Sequence, residues 1–89
     1  MTDIKIKERK IVLDGHAGYA EIGKDIVCAG ISILVAAFVI TNEEHVMIIE
    51  DLEDHMEMEW DSNVSPDYLL NGLELLANEY PDNVRISFD

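Results

Sequence analysis

Cations are scarce in this chain: six Lys and Arg stand against nineteen Asp and Glu in 89 residues, a formal charge of −13. Four of the six, Lys5, Lys7, Arg9 and Lys10, fall within the first ten residues. This balance argues against direct nucleic-acid binding, where cationic groups must replace the phosphate counterions. Cysteine is scarcer still. The single Cys28 excludes an intrachain disulfide framework and fits a reducing cytosol. No secretory leader is expected, because the opening MTDIKIKERK alternates polar and apolar residues and has no apolar core. A long hydrophobic run is also lacking. The fifteen residues from Ile26 to Ile40, interrupted only by Gly30 and Ser32, extend about 22 Å as a helix at ~1.5 Å per residue. A hydrocarbon core is roughly 30 Å thick, so a buried helix is expected and no membrane association. Repeats, linkers and low-complexity tracts are absent too, which leaves one small domain over residues 1–89.

What is present is acid and alternation. Between Glu43 and Asp61 there are nine acids and no Lys or Arg. Such a run reads as a solvated face that keeps the protein soluble, or, more sharply, as a surface that attracts a basic partner. Asp3 to Lys7 and Lys10 to Leu13 read as a β-hairpin, with Ile4 and Ile6 on one side. A helix runs from about Lys24 or Asp25 to Ile40, with Asp25 suited to cap it or to favour its first turn. Val46 to Glu50 and His55 to Trp60 read as two further strands. In the second, Met56, Met58 and Trp60 face one way and Glu57 and Glu59 the other. Ser65-Pro66 predicts an N-cap followed by an N1 proline. The next helix then buries Leu69, Leu73, Leu76 and Tyr80. Pro81 ends it, and Val84, Ile86 and Phe88 alternate through a last strand. The fold class is α+β, in the order ββαββαβ, with a largely antiparallel sheet and two helices. Met47, Met56 and Met58 are expected in the core, and His45 and His55 on the solvent side.

Gly15 to Ser32, GHAGYAEIGKDIVCAGIS, is where chemistry concentrates. A cysteine nucleophile acts as its thiolate, so an ordinary thiol pKa of about 8.5 must be lowered by a helix N-terminus or a cationic neighbour. Cys28 sits in the first turn of its helix, and His16 comes within reach if the loop folds back. Backbone N–H groups at that helix start are expected to serve as oxyanion donors. Plainer readings stand beside these: a lone cysteine on an apolar helix is commonly a small core residue, and a histidine next to glycine commonly sits in a turn. Other chemistries fit less well. GHAGYAEIG matches neither the dinucleotide nor the P-loop spacing. His16, Cys28, His45 and His55 contain no pair at close-ligand spacing. No cofactor and no metal are expected.

The string G-H-A-G-Y-A-x-x-G-K-D-I-V-C-A-G-I-S resembles the signature of the ribosomal-processing cysteine proteases, the Prp family. Looser similarity covers the rest of the chain, from the hairpin before the motif to Tyr80-Pro81-Asp82 and the strand after it. The resemblance implies a bacterial cytoplasmic cysteine endopeptidase, acting as a homodimer, that cuts a short N-terminal extension from a large-subunit ribosomal protein. It implies Cys28 as nucleophile and His16 as general base. Ser32, one turn beyond Cys28, would shape the same pocket. Gly15, Gly18 and Gly23, with Tyr19 between them, match a mobile loop over the substrate, and Asp25 matches the acid before the cysteine. For a third, orienting residue Asp14 and Asp25 both stand open. The chain departs from the family in its short hairpin, its brief Thr41 to His45 segment and its unusually apolar helix end. A phage-borne relative that processes a capsid or scaffold protein would share this pattern. The contrasting classes are a non-catalytic peptide-binding module and a regulatory thiol.

Overall fold

In β1 (Thr2–Lys7) Ile4 and Ile6 alternate with Lys5 and Lys7, and in β2 (Lys10–Asp14) Ile11 and Leu13 alternate with Val12. The four isoleucine and leucine side chains are all buried, so the hairpin has one core face and one open face. Antiparallel pairing sets Ile4 opposite Leu13 and Ile6 opposite Ile11, which keeps the core faces aligned. The computed structural model describes residues 1–18, 20–21 and 25–89. After the hairpin come α1 (Ile26–Thr41), a 3-10 turn (Glu43–His45), β3 (Val46–Leu52), β4 (His55–Trp60), α2 (Asp67–Glu79) and β5 (Val84–Phe88). The element order is the expected ββαββαβ.

The five strands form one sheet in the order β3-β4-β2-β1-β5. Three neighbouring pairs are antiparallel, and β5 joins the far edge parallel to β1. Both helices pack on one face of the sheet. Val27, Ile31, Val35 and Phe38 of α1 and Leu69 and Leu73 of α2 complete a core with Ile4, Ile11, Met58 and Trp60. Phe38 meets Trp60 edge to face at 5.4 Å, a favoured aromatic geometry. The helices approach closely because glycines face leucines. A Cβ on Gly30 would lie 3.4 Å from Leu76 Cδ1, and one on Gly72 would lie 2.7 Å from Leu34 Cδ2.

Two local expectations are corrected. Met47 is not a core residue: it is 66% exposed. Its register partner on β4 is Glu59, and directly opposed residues of an antiparallel pair share a face. Met47 therefore points to the open side with Glu59, while Ile48 opposes the buried Met58. A register shift between Ile48 and Glu50 then breaks the alternation along this edge strand. The second correction concerns α2. The helix starts at Asp67, Pro66 occupies the cap position, and no side chain caps it. The Pro66 carbonyl instead accepts the first helical bond, from Leu70 N–H at 2.9 Å.

Candidate active site

α1 starts where Asp25 turns the chain into it. The Asp25 backbone is extended, and its Oδ1 accepts from the N–H groups of Val27 and Cys28, at 2.9 Å each. This is the side-chain cap that a helix N-terminus demands, and it fixes Cys28 as the third residue of the helix. It also narrows one expectation. The first-turn N–H groups of Val27 and Cys28 are occupied by the cap, so they are not open oxyanion donors.

The thiol instead meets the loop after β2. Cys28 is half-buried, and its Sγ accepts the backbone N–H of Ala17 at 3.3 Å. Ala17 is itself buried, and its carbonyl accepts Nδ2 of Asn83 at 2.9 Å. The preceding residue is held as well, with the Met1 ammonium donating to the His16 carbonyl at 2.5 Å. Gly15 N–H donates to the Asp54 carbonyl at 2.8 Å. The chain around His16 is thus tied to four separate parts of the molecule. The His16 ring is exposed and lines the same cleft as Cys28. Among the described residues no hydrogen bond joins that ring to the thiol, and catalytic contacts of this kind often tighten only around a substrate.

The cleft has a volume of 620 Å³. Ile31, Val35 and Val39 of α1 face Leu13 and Met56 of the sheet across it, giving an apolar floor, and Ser32 lies on its wall one turn beyond Cys28. Asp51, Glu53 and Asp54, around the β3–β4 turn, also line it. Gly15 lines the cleft and has φ +88°, and Gly18 has φ +69°, both in the left-handed region that favours glycine. Tyr19 and Gly23 lie outside the described residues.

Of the two acids weighed as an orienting group, Asp25 caps α1. Asp14 turns to a different histidine, pairing through Oδ1 with His55 Nδ1. Glu50 Oε1 lies 3.2 Å from the other ring nitrogen. His55, expected on the solvent side, is therefore a half-buried cleft residue between two carboxylates. His45 pairs with Asp61 at 2.8 Å beside the 3-10 turn. No periodicity reveals either the His55 cluster or Asn83, because their partners lie 41 and 66 residues away in sequence.

The Asp14 hydrogen bond, aided by the charges of Asp14, Glu50 and Glu57, raises the His55 pKa above the ordinary 6.5. A group whose folded pKa is raised stabilises the fold fully below its unfolded pKa, and that contribution is lost as pH rises through the folded value. Thermal midpoints of wild type and His55→Asn are therefore expected to differ most near pH 6 and to converge at alkaline pH. A gap that widens with rising pH would show that the neutral ring is the stabilising form.

The relatives of this chain make it a cysteine peptidase. A family model described as Cysteine protease Prp matches residues 1–85. The Ribosomal processing cysteine protease Prp of Bacillus subtilis (strain 168) is 29% identical over 90 residues, covering 84% of this chain and 80% of that protein. The protein of the same name from Staphylococcus aureus (strain Mu50) is 30% identical over 93 residues, covering 92% and 88%. In structure, the chain is similar to the S. aureus ribosomal processing protease Prp crystallised with a covalently linked product peptide. That match has a TM-score of 0.90 at 24% identity and covers 100% of both chains. SMU.848 from Streptococcus mutans gives a TM-score of 0.74 at 24% identity over 99% of this chain and 93% of that one. The chain belongs to the cysteine protease Prp family.

Proposed function

We propose that this protein is an endopeptidase that removes the short N-terminal extension of a large-subunit ribosomal protein in a bacterial cytoplasm, with Cys28 as nucleophile and His16 as general base. The observation that carries this reading is the 3.3 Å contact between Ala17 N–H and Cys28 Sγ. It brings the residue after His16 onto the thiol at the head of an apolar cleft. The S. aureus Prp has also been crystallised with a substrate peptide, and that structure is similar to this chain at a TM-score of 0.78 and 23% identity.

On this reading the extension lies along the cleft, its apolar side chains against Ile31, Val35 and Val39 and beside Ser32. The loop that carries Gly15 and Gly18 covers it. His16 takes the thiol proton, and the thiolate forms a bond to the scissile carbonyl carbon as the carbonyl π electrons move to oxygen. The tetrahedral species collapses with loss of the C–N bond, and His16 returns the proton to the leaving amine. Water, deprotonated by the same ring, then adds to the thioester carbonyl; the C–S bond breaks to free the acid product, and the ring returns its proton to the thiolate. Asp25 contributes by holding the helix start, and with it the position of the sulfur. No step needs a metal or cofactor.

The test is incubation with the precursor ribosomal protein, followed by mass spectrometry of the products. A single cut that frees the N-terminal extension supports the reading. Binding of the extension without a cut would make this a peptide-binding module. Cutting of a phage capsid or scaffold precursor in its place would reassign the substrate.

The protein is also proposed to act as a homodimer. Ile26, Ile33 and Ile40 recur at seven-residue intervals along α1 and are 57%, 70% and 73% exposed. A stripe of this size and spacing is unusual on a free monomer and is suited to a second copy. Light scattering at micromolar concentration is expected to give twice the 10.1 kDa chain mass, and Ile33→Glu is expected to halve it. A wild-type mass of one chain would overturn the dimer.

A further inference from the structure

The first-turn N–H groups that ordinarily make a helix N-terminus attractive to a thiolate are used here by Asp25, at Val27 and Cys28. Yet the sulfur does receive a backbone donor, and it comes from the loop after β2. Ala17 N–H lies 3.3 Å from Sγ. Ala17 lies in the loop after β2, outside any helix or strand, so no ladder fixes the orientation of its peptide groups. A side chain from a remote element does part of that work. Asn83, in the turn between α2 and β5, donates Nδ2 to the Ala17 carbonyl at 2.9 Å.

Asn83 is well anchored for the purpose. Its own N–H donates to the Tyr80 carbonyl at 2.9 Å, and its carbonyl accepts Thr2 N–H at 2.9 Å. The turn that carries it is thereby joined to both α2 and the start of β1. Asn83 and the Ala17–Cys28 contact are partly buried, where hydrogen bonds are stronger than in open water.

From this relay we infer that Asn83 is a positioning residue for the nucleophile: it holds Ala17 so that the Ala17 N–H points at Cys28 Sγ and stabilises the thiolate. The inference rests on Cys28 being the nucleophile. Asn83 touches neither the sulfur nor the cleft and acts only through Ala17. A donor to an anion is worth more than one to a neutral thiol. Losing its alignment therefore penalises the charged form and leaves the neutral form nearly untouched.

The test uses the fact that this protein has one cysteine, so alkylation by iodoacetamide reports on Cys28 alone. In Asn83→Ala and in the near-isosteric Asn83→Asp, the alkylation rate at pH 7 is expected to fall about fivefold to tenfold, since a hydrogen bond to a charged acceptor is strong and its alignment is only partly lost. Above about pH 10, where thiols are ionised in any case, the rates of wild type and variants are expected to converge. With the peptide substrate, kcat should fall by a similar factor at unchanged KM. A purely structural role would shift the thermal midpoint and leave the alkylation profile where it was.

A second measurement does not depend on the variants folding. Amide exchange at Ala17 should be slow in wild type and clearly faster in Cys28→Ala, which removes the acceptor. Superimposable alkylation profiles in the folded variants, or Ala17 exchange indifferent to the sulfur, would overturn the inference. Failure of the underlying reading looks different: Cys28→Ala would still cut the precursor, whatever Asn83 does to alkylation.

Discussion

Cys28→Ala is expected to abolish precursor cleavage and to leave the fold intact. The sulfur is the only thiol in the protein, and a covalent mechanism has no substitute for it. Its loss should lower kcat/KM by at least about 10³-fold, the scale on which members of a jointly acting catalytic unit fail. The packing cost is small. Cys28 is only half-buried on the cleft wall, and removing one small polarizable atom from such a site costs on the order of 1 kcal/mol. His16→Ala should be equally inactive, because thiol and base act in one step. The double variant should be no worse than either single one, as such effects are far from additive. The His16 ring is exposed, so its removal should hardly change the thermal midpoint. Circular dichroism and a cleavage assay on all three variants decide the matter. A Cys28→Ala protein that cuts at a rate near wild type would move the nucleophile elsewhere.

Gly15→Ala is expected to produce the largest loss of stability of any single-methyl change near the site. Two independent penalties fall on it. Its φ of +88° lies in a region that side-chain-bearing residues rarely enter, at a cost of about 1–3 kcal/mol. In addition, a Cβ at this position would stand 2.6 Å from the Met1 carbonyl oxygen. That neighbour is backbone, so β1 or the loop itself has to move. Moving it disturbs the Met1 bond to the His16 carbonyl and the Gly15 bond to Asp54, and so the placement of both His16 and Ala17. A loss of about 3 kcal/mol in a domain of this size lowers the thermal midpoint by roughly 12 °C or more, and cleavage should fall with it at temperatures where the protein is still folded. Gly18 offers the contrast. It too has positive φ, but among the described residues a Cβ there meets nothing nearer than the Met1 nitrogen at 3.7 Å. Gly18→Ala should therefore cost only the backbone term. A Gly15→Ala midpoint no lower than that of Gly18→Ala would show that Met1 yields freely.

Much of the fold was legible in local pattern. Alternation located β1, β2, β4 and β5, because each has one face against the helices and one toward water. The apolar run after Asp25 located α1, and Asp25 turned out to cap it. β3 was the weak point. As an edge strand it has a single neighbour, and its register with β4 turns Met47 outward, which no periodicity within β3 could reveal. The start of α2 slipped by one residue for a related reason: Pro66 is compatible with either side of a helix boundary, and the choice fell to its carbonyl bond with Leu70.

The site divides along the same line. The sequence by itself determined the segment that matters, Gly15 to Ser32, because the residues that make a thiol, a base and a capped helix start are neighbours in the chain. Their spacing along α1 also determined that Ser32 stands one turn from Cys28. Only the tertiary structure decided what surrounds them. It drew Asp14 to His55, and brought Asn83 across the sheet to the Ala17 carbonyl. Those partners were settled by which strands lie side by side and where the turns between them end. Hydrogen bonds of this kind form between whichever donors and acceptors packing leaves adjacent and shielded from water, and that adjacency is a property of the folded sheet.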